Sequence, residues 1–96
     1  MAKGYWIAFY RSVSDEEALK KYAAMATPVL AAGGGRFLAR GVAAKAYEAG
    51  VAQRSVLVEF PSVQDAIRTY ESPEYQAALE VIRGKVDRDL RIVEGT

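Results

Sequence analysis

The sequence predicts an α+β fold of the ferredoxin-like type: one antiparallel sheet with both helical segments on one face, in the order β-α-β-(β)-α-β. Three observations predict it. The run Tyr5-Trp6-Ile7-Ala8-Phe9-Tyr10 is rich in β-forming aromatics and apolar on both alternating faces, as in a strand covered from two sides. Two later stretches carry apolar residues at helical spacing, and each follows a strand-like run. Finally, 96 residues of which 51% are hydrophobic and 26% charged match one packed core and exclude disorder, so residues 1–96 read as a single domain.

Each element follows from local chemistry. Ser14-Asp15-Glu16-Glu17 fits a capping box with Ser14 as the cap. The helix it opens sets Ala18, Leu19, Tyr22, Met25, Ala26, Val29 and Leu30 at helical spacing on one face and leaves Glu16, Lys20 and Lys21 wet. Pro28 falls inside that pattern, where a missing amide predicts a kink or a weakened last turn. Gly33-Gly34-Gly35 stops the helix and a strand follows over Arg36–Arg40. The Ala-rich stretch from Gly41 to Gly50 reads as a short strand and turn around Lys45–Glu48, while Ala43-Ala44 argues equally for a loose loop. Gln53–Phe60 is a further strand, with Val56, Val58 and Phe60 on one face and Ser55, Leu57 and Glu59 on the other; Pro61 ends it. Ser62 opens a helix whose apolar face is Ala66, Ile67 and Tyr70, and Ser72-Pro73 restarts it with Tyr75, Ala78, Leu79 and Ile82. Asp87-Arg88-Asp89 reads as a solvated charge run before a last strand over Leu90–Glu94.

Charge and missing residue types narrow the chemistry. Thirteen basic against twelve acidic residues give a net charge of +1, which lacks the footprint of a nucleic-acid-binding protein. Without cysteine there are no thiolate nucleophiles, and without histidine no Ser-His-Asp or Cys-His catalysis and no His-ligated haem or zinc. Any general base is then a carboxylate, Lys or Tyr. Gly33-Gly34-Gly35 follows a helix and precedes a strand, the reverse of a phosphate-binding loop, so the residues imply no cofactor, and no metal. No export signal and no membrane-length apolar run is visible, and the expected location is the cytoplasm, without a membrane partner. A first strand apolar on both faces needs cover beyond its own helices. A homodimer, packed sheet to sheet about a two-fold axis, supplies it.

Seven residues are candidates for a site. Glu59 lies among Val58 and Phe60, where a carboxylate needs a partner: it reads as a general base, or as half of a structural ion pair with Arg40 or Arg36. Arg40 offers a planar fork to a ligand carbonyl or carboxylate, and Arg36 reads either as a weaker version of the same or as an exposed strand start. Tyr22, Tyr70, Tyr75 and Trp6 would line a cleft between helices and sheet, or simply form core.

Lys3-Gly4-Tyr5-Trp6-Ile7-Ala8, Gly34-Gly35-Arg36-Phe37-Leu38-Ala39-Arg40-Gly41, Glu59-Phe60-Pro61-Ser62, Ser72-Pro73-Glu74-Tyr75-Gln76-Ala77-Ala78 and the ending Asp89-Leu90 with Ile92-Val93-Glu94-Gly95 together resemble domain-of-unknown-function family 1330. The resemblance spans nearly the whole chain and implies a dimeric α/β barrel built from ferredoxin-like protomers. The wider superfamily includes cofactor-free monooxygenases, muconolactone isomerases, haem-degrading enzymes and proteins without known catalysis, so the fold alone does not choose among them. Many members carry His on the first strand where this chain has Phe9, so a reaction depending on that His is absent or altered here. Two readings follow. One is a small-molecule-binding protein, a cofactor-free isomerase or oxygenase of a small carbonyl compound, in which Arg40 holds an oxygen, Glu59 moves a proton and an apolar pocket excludes water. The other is a non-catalytic dimeric binding or structural module in which Glu59 and Arg40 satisfy each other.

Overall fold

The computed structural model describes residues 2–96. In chain order it consists of β1 (Gly4–Val13), α1 (Glu16–Ala32), β2 (Arg36–Val42), β3 (Arg54–Phe60), α2 (Val63–Tyr70), α3 (Pro73–Ile82) and β4 (Val86–Glu94). The four strands form one sheet in the order β2-β3-β1-β4, antiparallel at every pairing. This is the ferredoxin-like α+β arrangement, with the second helical segment split in two at Ser72.

Alternation along β1 decides which face meets the helices. Trp6, Ala8 and Tyr10 are buried, with Val58 and Phe60 beside them on β3. Leu19, Tyr22, Ala26 and Leu30 of α1 and Tyr75, Ala78 and Ile82 of α3 close over that side. The odd-numbered residues Tyr5, Ile7 and Phe9 point to the opposite, helix-free face, where Phe9 is 50% exposed. β1 is therefore apolar on both sides, while only one side is covered within the chain.

Several local expectations are corrected. The cap of α1 is Asp15, whose side chain accepts from the Ala18 amide at 3.0 Å, while the Ser14 hydroxyl turns back to donate to the Lys85 carbonyl. Both residues favour a cap, and the tie to Lys85, just before β4, takes Ser14 out of the competition. Helix α1 runs through Pro28 and ends four residues later at Ala32. Of the two readings of the Ala-rich stretch, the strand around Lys45–Glu48 does not form and the loop does: it covers residues 43–53, with Glu48 at a φ of 56°. That Ala-rich stretch has few of the branched or aromatic side chains that make a strand worth packing. On α2 it is Thr69 that is buried beside Ala66, its hydroxyl donating to the Asp65 carbonyl, while Ile67 is largely exposed. Strand β4 starts at Val86, four residues early, so Asp87-Arg88-Asp89 lies within the sheet. Pairing with β1 sets Arg88 beside inward Tyr10 and Asp89 beside outward Phe9.

Candidate functional site

Between α1 and the sheet lies a cavity of about 30 Å³, room for roughly two waters. Its apolar wall includes Trp6, Ala8, Leu19, Ala26, Leu30 and Val56. Its polar lining is Tyr10, Tyr22, Thr27 and three arginines, Arg40, Arg54 and Arg88, with no carboxylate. The strand pattern explains why cations arrive here. Arg54 shares the parity of Val56, Val58 and Phe60, and Arg88 that of Leu90 and Ile92, so both point to the helix side. Arg40 gets there through a bulge. Phe37 pairs with Val58 but Ala39 pairs with Leu57, leaving Leu38 as the extra residue and turning Arg40 inward opposite Val56.

Arg88 is the centre of the polar network. Its Nη1 donates to the Tyr22 hydroxyl at 3.1 Å and to the Tyr10 hydroxyl at 3.4 Å, and its Nη2 donates to the Tyr75 hydroxyl at 3.0 Å. Tyr22 and Tyr75 share a hydrogen bond of 2.7 Å. The guanidinium also lies over the rings of Tyr10 and Tyr22. Trp6 packs edge-on against Tyr75, with ring centroids 5.0 Å apart, and fixes the far wall. Burial pushes the Tyr10 and Tyr75 hydroxyls up from the ordinary tyrosine range, so both are protonated at neutral pH. Burial works against the charge of Arg88, but the tyrosine oxygens around it outweigh that, and its pKa is raised.

Counting protons shows what the network lacks. Each of the three hydroxyls accepts from Arg88, and a hydroxyl has one proton of its own to give. The Tyr22–Tyr75 bond uses one of those three protons. The cluster therefore has donors left over and is complementary to an acceptor oxygen. Chemically, it can hold a carbonyl, phenolate or enolate oxygen at the edge of an apolar cavity.

The predicted site residues separate into two groups. Tyr22, Tyr75 and Trp6 meet on the helix side, where Tyr22 and Trp6 line the cavity and Tyr75 backs it. Arg40 joins them at the rim, stacked 4.4 Å above the Phe37 ring and donating to the Thr27 hydroxyl at 3.4 Å. Tyr70 packs on Trp6 and Tyr75 away from the cavity. Glu59 and Arg36 lie on the helix-free face, paired across β3 and β2. There Glu59 accepts from the Tyr5 hydroxyl at 3.0 Å and has Lys3 at 3.8 Å; that hydrogen bond, foremost, raises the Tyr5 pKa. Glu59 and Arg40 therefore neither pair nor converge on one pocket: β3 and the β2 bulge place them on opposite sides of the sheet.

Sequence reasoning missed Arg88, Arg54 and Tyr10 as site residues. The signal was present in their parity, since Arg88 alternates in step with Leu90 and Ile92, and Arg54 with Val56. The charges flanking Arg88 concealed it.

No curated protein matches the chain. Among solved structures, a protein of unknown function from Rhodopseudomonas palustris superposes with a TM-score of 0.75 at 18% identity, the match covering 99% of this chain and 83% of that one. A dimeric ferredoxin-like protein of unknown function from Thermobifida fusca gives 0.68 at 17% identity, over 97% and 91% of the two chains. A putative antibiotic biosynthesis monooxygenase from Nitrosomonas europaea gives 0.64 at 21% identity, over 97% and 89%. At these identities the likeness establishes the fold. The family model of the domain of unknown function DUF1330 matches residues 3–96, and the chain belongs to that family.

Proposed function

We propose that the protein binds a small molecule with an apolar body through a carbonyl, enolic or phenolic oxygen, held by Arg88 and the Tyr10 and Tyr22 hydroxyls in the cavity between α1 and the sheet. The observation that carries this reading is the surplus of donors around a cationic, carboxylate-free cavity. Such a site favours the oxyanion that forms when a proton leaves the carbon next to a carbonyl. Both an isomerisation, which returns that proton to another carbon, and a cofactor-free oxygenation, in which the carbanion meets dioxygen, begin at that species. The fold shared with a putative monooxygenase is compatible with this class of reaction.

The base is the missing part. Glu59 is on the other face, so as a base it would serve only a ligand held between two sheets, and the helix-side cavity has no carboxylate of its own. That observation favours the second reading, a binding module without turnover, for the isolated chain. A homodimer fits both readings. The uncovered face carries Tyr5, Ile7, Phe9 and Leu57, and a second copy laid on it would complete the barrel.

4-Nitrophenol tests the oxygen site, because its colour reports its ionisation. A charge-assisted hydrogen bond contributes about 1.5–3 kcal/mol, so the bound phenol should ionise roughly one to two pH units below the free one, and Arg88→Met should abolish the shift. A bound probe that ionises at or above the pH of the free phenol contradicts the reading.

A further inference from the structure

We infer that the ligand of this cavity carries a carboxylate as a second pole, bound at the cavity mouth by Arg40 and Arg54, at a distance from the oxygen held by Arg88. The inference rests on the small-molecule site proposed above and adds the charge class of its ligand.

The arginines of the chain divide sharply. Arg11, Arg68, Arg83 and Arg91 each lie within 3.4 Å of a carboxylate oxygen. Arg36, Arg40, Arg54 and Arg88 make no such pair among the described residues. Three of these four line one cavity whose lining has no acid at all. Cations brought together beside apolar surface repel one another, and a bound anion removes that repulsion.

The sheet also separates the cations into two positions. Arg88 pairs with Tyr10 across β4 and β1. On the other side of β1, the last pair of the register is Phe9 with Ser55, and Arg54, next to Ser55, is near enough to Tyr10 to act on its hydroxyl. Arg54 and Arg88 therefore flank Tyr10 from two strands that are about 10 Å apart, twice the strand spacing. Arg40 sits one strand further out, opposite Val56. Arg88 is committed to three hydroxyls, whereas Arg40 makes only the long bond to Thr27 and the stack on Phe37. The free forks are thus at the mouth and the hydroxyl-bound one is inside. A molecule that satisfies both has a carboxylate at one end, a carbonyl or hydroxyl oxygen at the other, and an apolar, ring-sized body between them. The cavity of about 30 Å³ is smaller than such a body, so seating it requires the exposed Arg40 side chain at its lining to give up the long bond to Thr27 and the stack on Phe37.

Calorimetric titration of the full chain with 4-hydroxybenzoate and with its methyl ester tests this. The two share ring and hydroxyl and differ in the charged end. The acid is expected to bind at least about tenfold tighter than the ester, and Arg40→Gln together with Arg54→Gln to erase that preference, bringing the two affinities together. Equal binding of acid and ester by the wild-type chain overturns the carboxylate pole, while a shifted 4-nitrophenol ionisation would keep the oxygen site. A preference that survives the double substitution overturns the assignment to Arg40 and Arg54. Should the double variant fail to fold, Arg40→Gln alone, at an exposed position, decides the same point. Binding of neither compound removes the inference, and if 4-nitrophenol also fails, the site itself.

Discussion

Arg88 is where charge, burial and hydrogen bonding meet, and the hydroxyls around it set how the chain responds to substitution and to pH. Tyr75 is fully buried, and its hydroxyl bonds both Tyr22 and Arg88. Tyr75→Phe keeps the ring and removes that oxygen, so urea denaturation should report a loss of about 1–3 kcal/mol, the cost of leaving buried donors short of an acceptor. An unchanged midpoint would mean that the hydroxyl contributes nothing to the network. The raised pKa values of Tyr10 and Tyr75 set a sign. Unfolded tyrosines release their protons above the ordinary value of 10.0, whereas these two keep theirs when folded. The unfolded state then binds fewer protons, so stability is intact below about pH 9 and falls above pH 10, chiefly through Tyr75, the more strongly raised of the two, at up to about 1.4 kcal/mol per pH unit. Denaturation midpoints between pH 8 and 11 would check the slope, and a flat profile would contradict it.

At the scale of elements, strand alternation does the sorting. Tyr22, Tyr75 and Trp6 were legible as a cluster from helical spacing and from the even-numbered face of β1, both regular patterns. Arg40 was not, because parity counted from Arg36 places it on the same face as Glu59. The bulge at Leu38 reverses that, and no residue in Phe37-Leu38-Ala39 announces a bulge in advance. Arg88 was hidden for a different reason. Two neighbouring aspartates resemble a solvated run until the register with β1 turns one charge inward. The cap of α1 gave two acceptable residues, Ser14 and Asp15, and only the contact with Lys85 separates them. Asp15→Ala should therefore destabilise the chain by about 0.5–2 kcal/mol through loss of the bond to the Ala18 amide. Thermal unfolding would measure it, and a neutral effect would return the cap to Ser14.

For the whole molecule, the sheet has a covered face that holds the proposed site and an uncovered face that is apolar near its centre. Ile7 lies in the middle of that second face, between Leu57 and Arg91. If a second copy covers it, light scattering should give twice the protomer mass of 10.5 kDa, and Ile7→Lys should reduce the mass to one protomer while leaving far-UV circular dichroism intact. A wild-type monomer would remove the homodimer. The two faces also allow one measurement to locate the ligand, since the six tyrosines report from both. In protein labelled with 13C-tyrosine and titrated with 4-nitrophenol, the resonances of Tyr10 and Tyr22 beside the cavity should shift, and those of Tyr5 on the open face and of exposed Tyr47 should stay in place. Shifts at Tyr5 with Tyr10 and Tyr22 unmoved would put the ligand against the open face and contradict the assignment of the site to Arg88 and its hydroxyls.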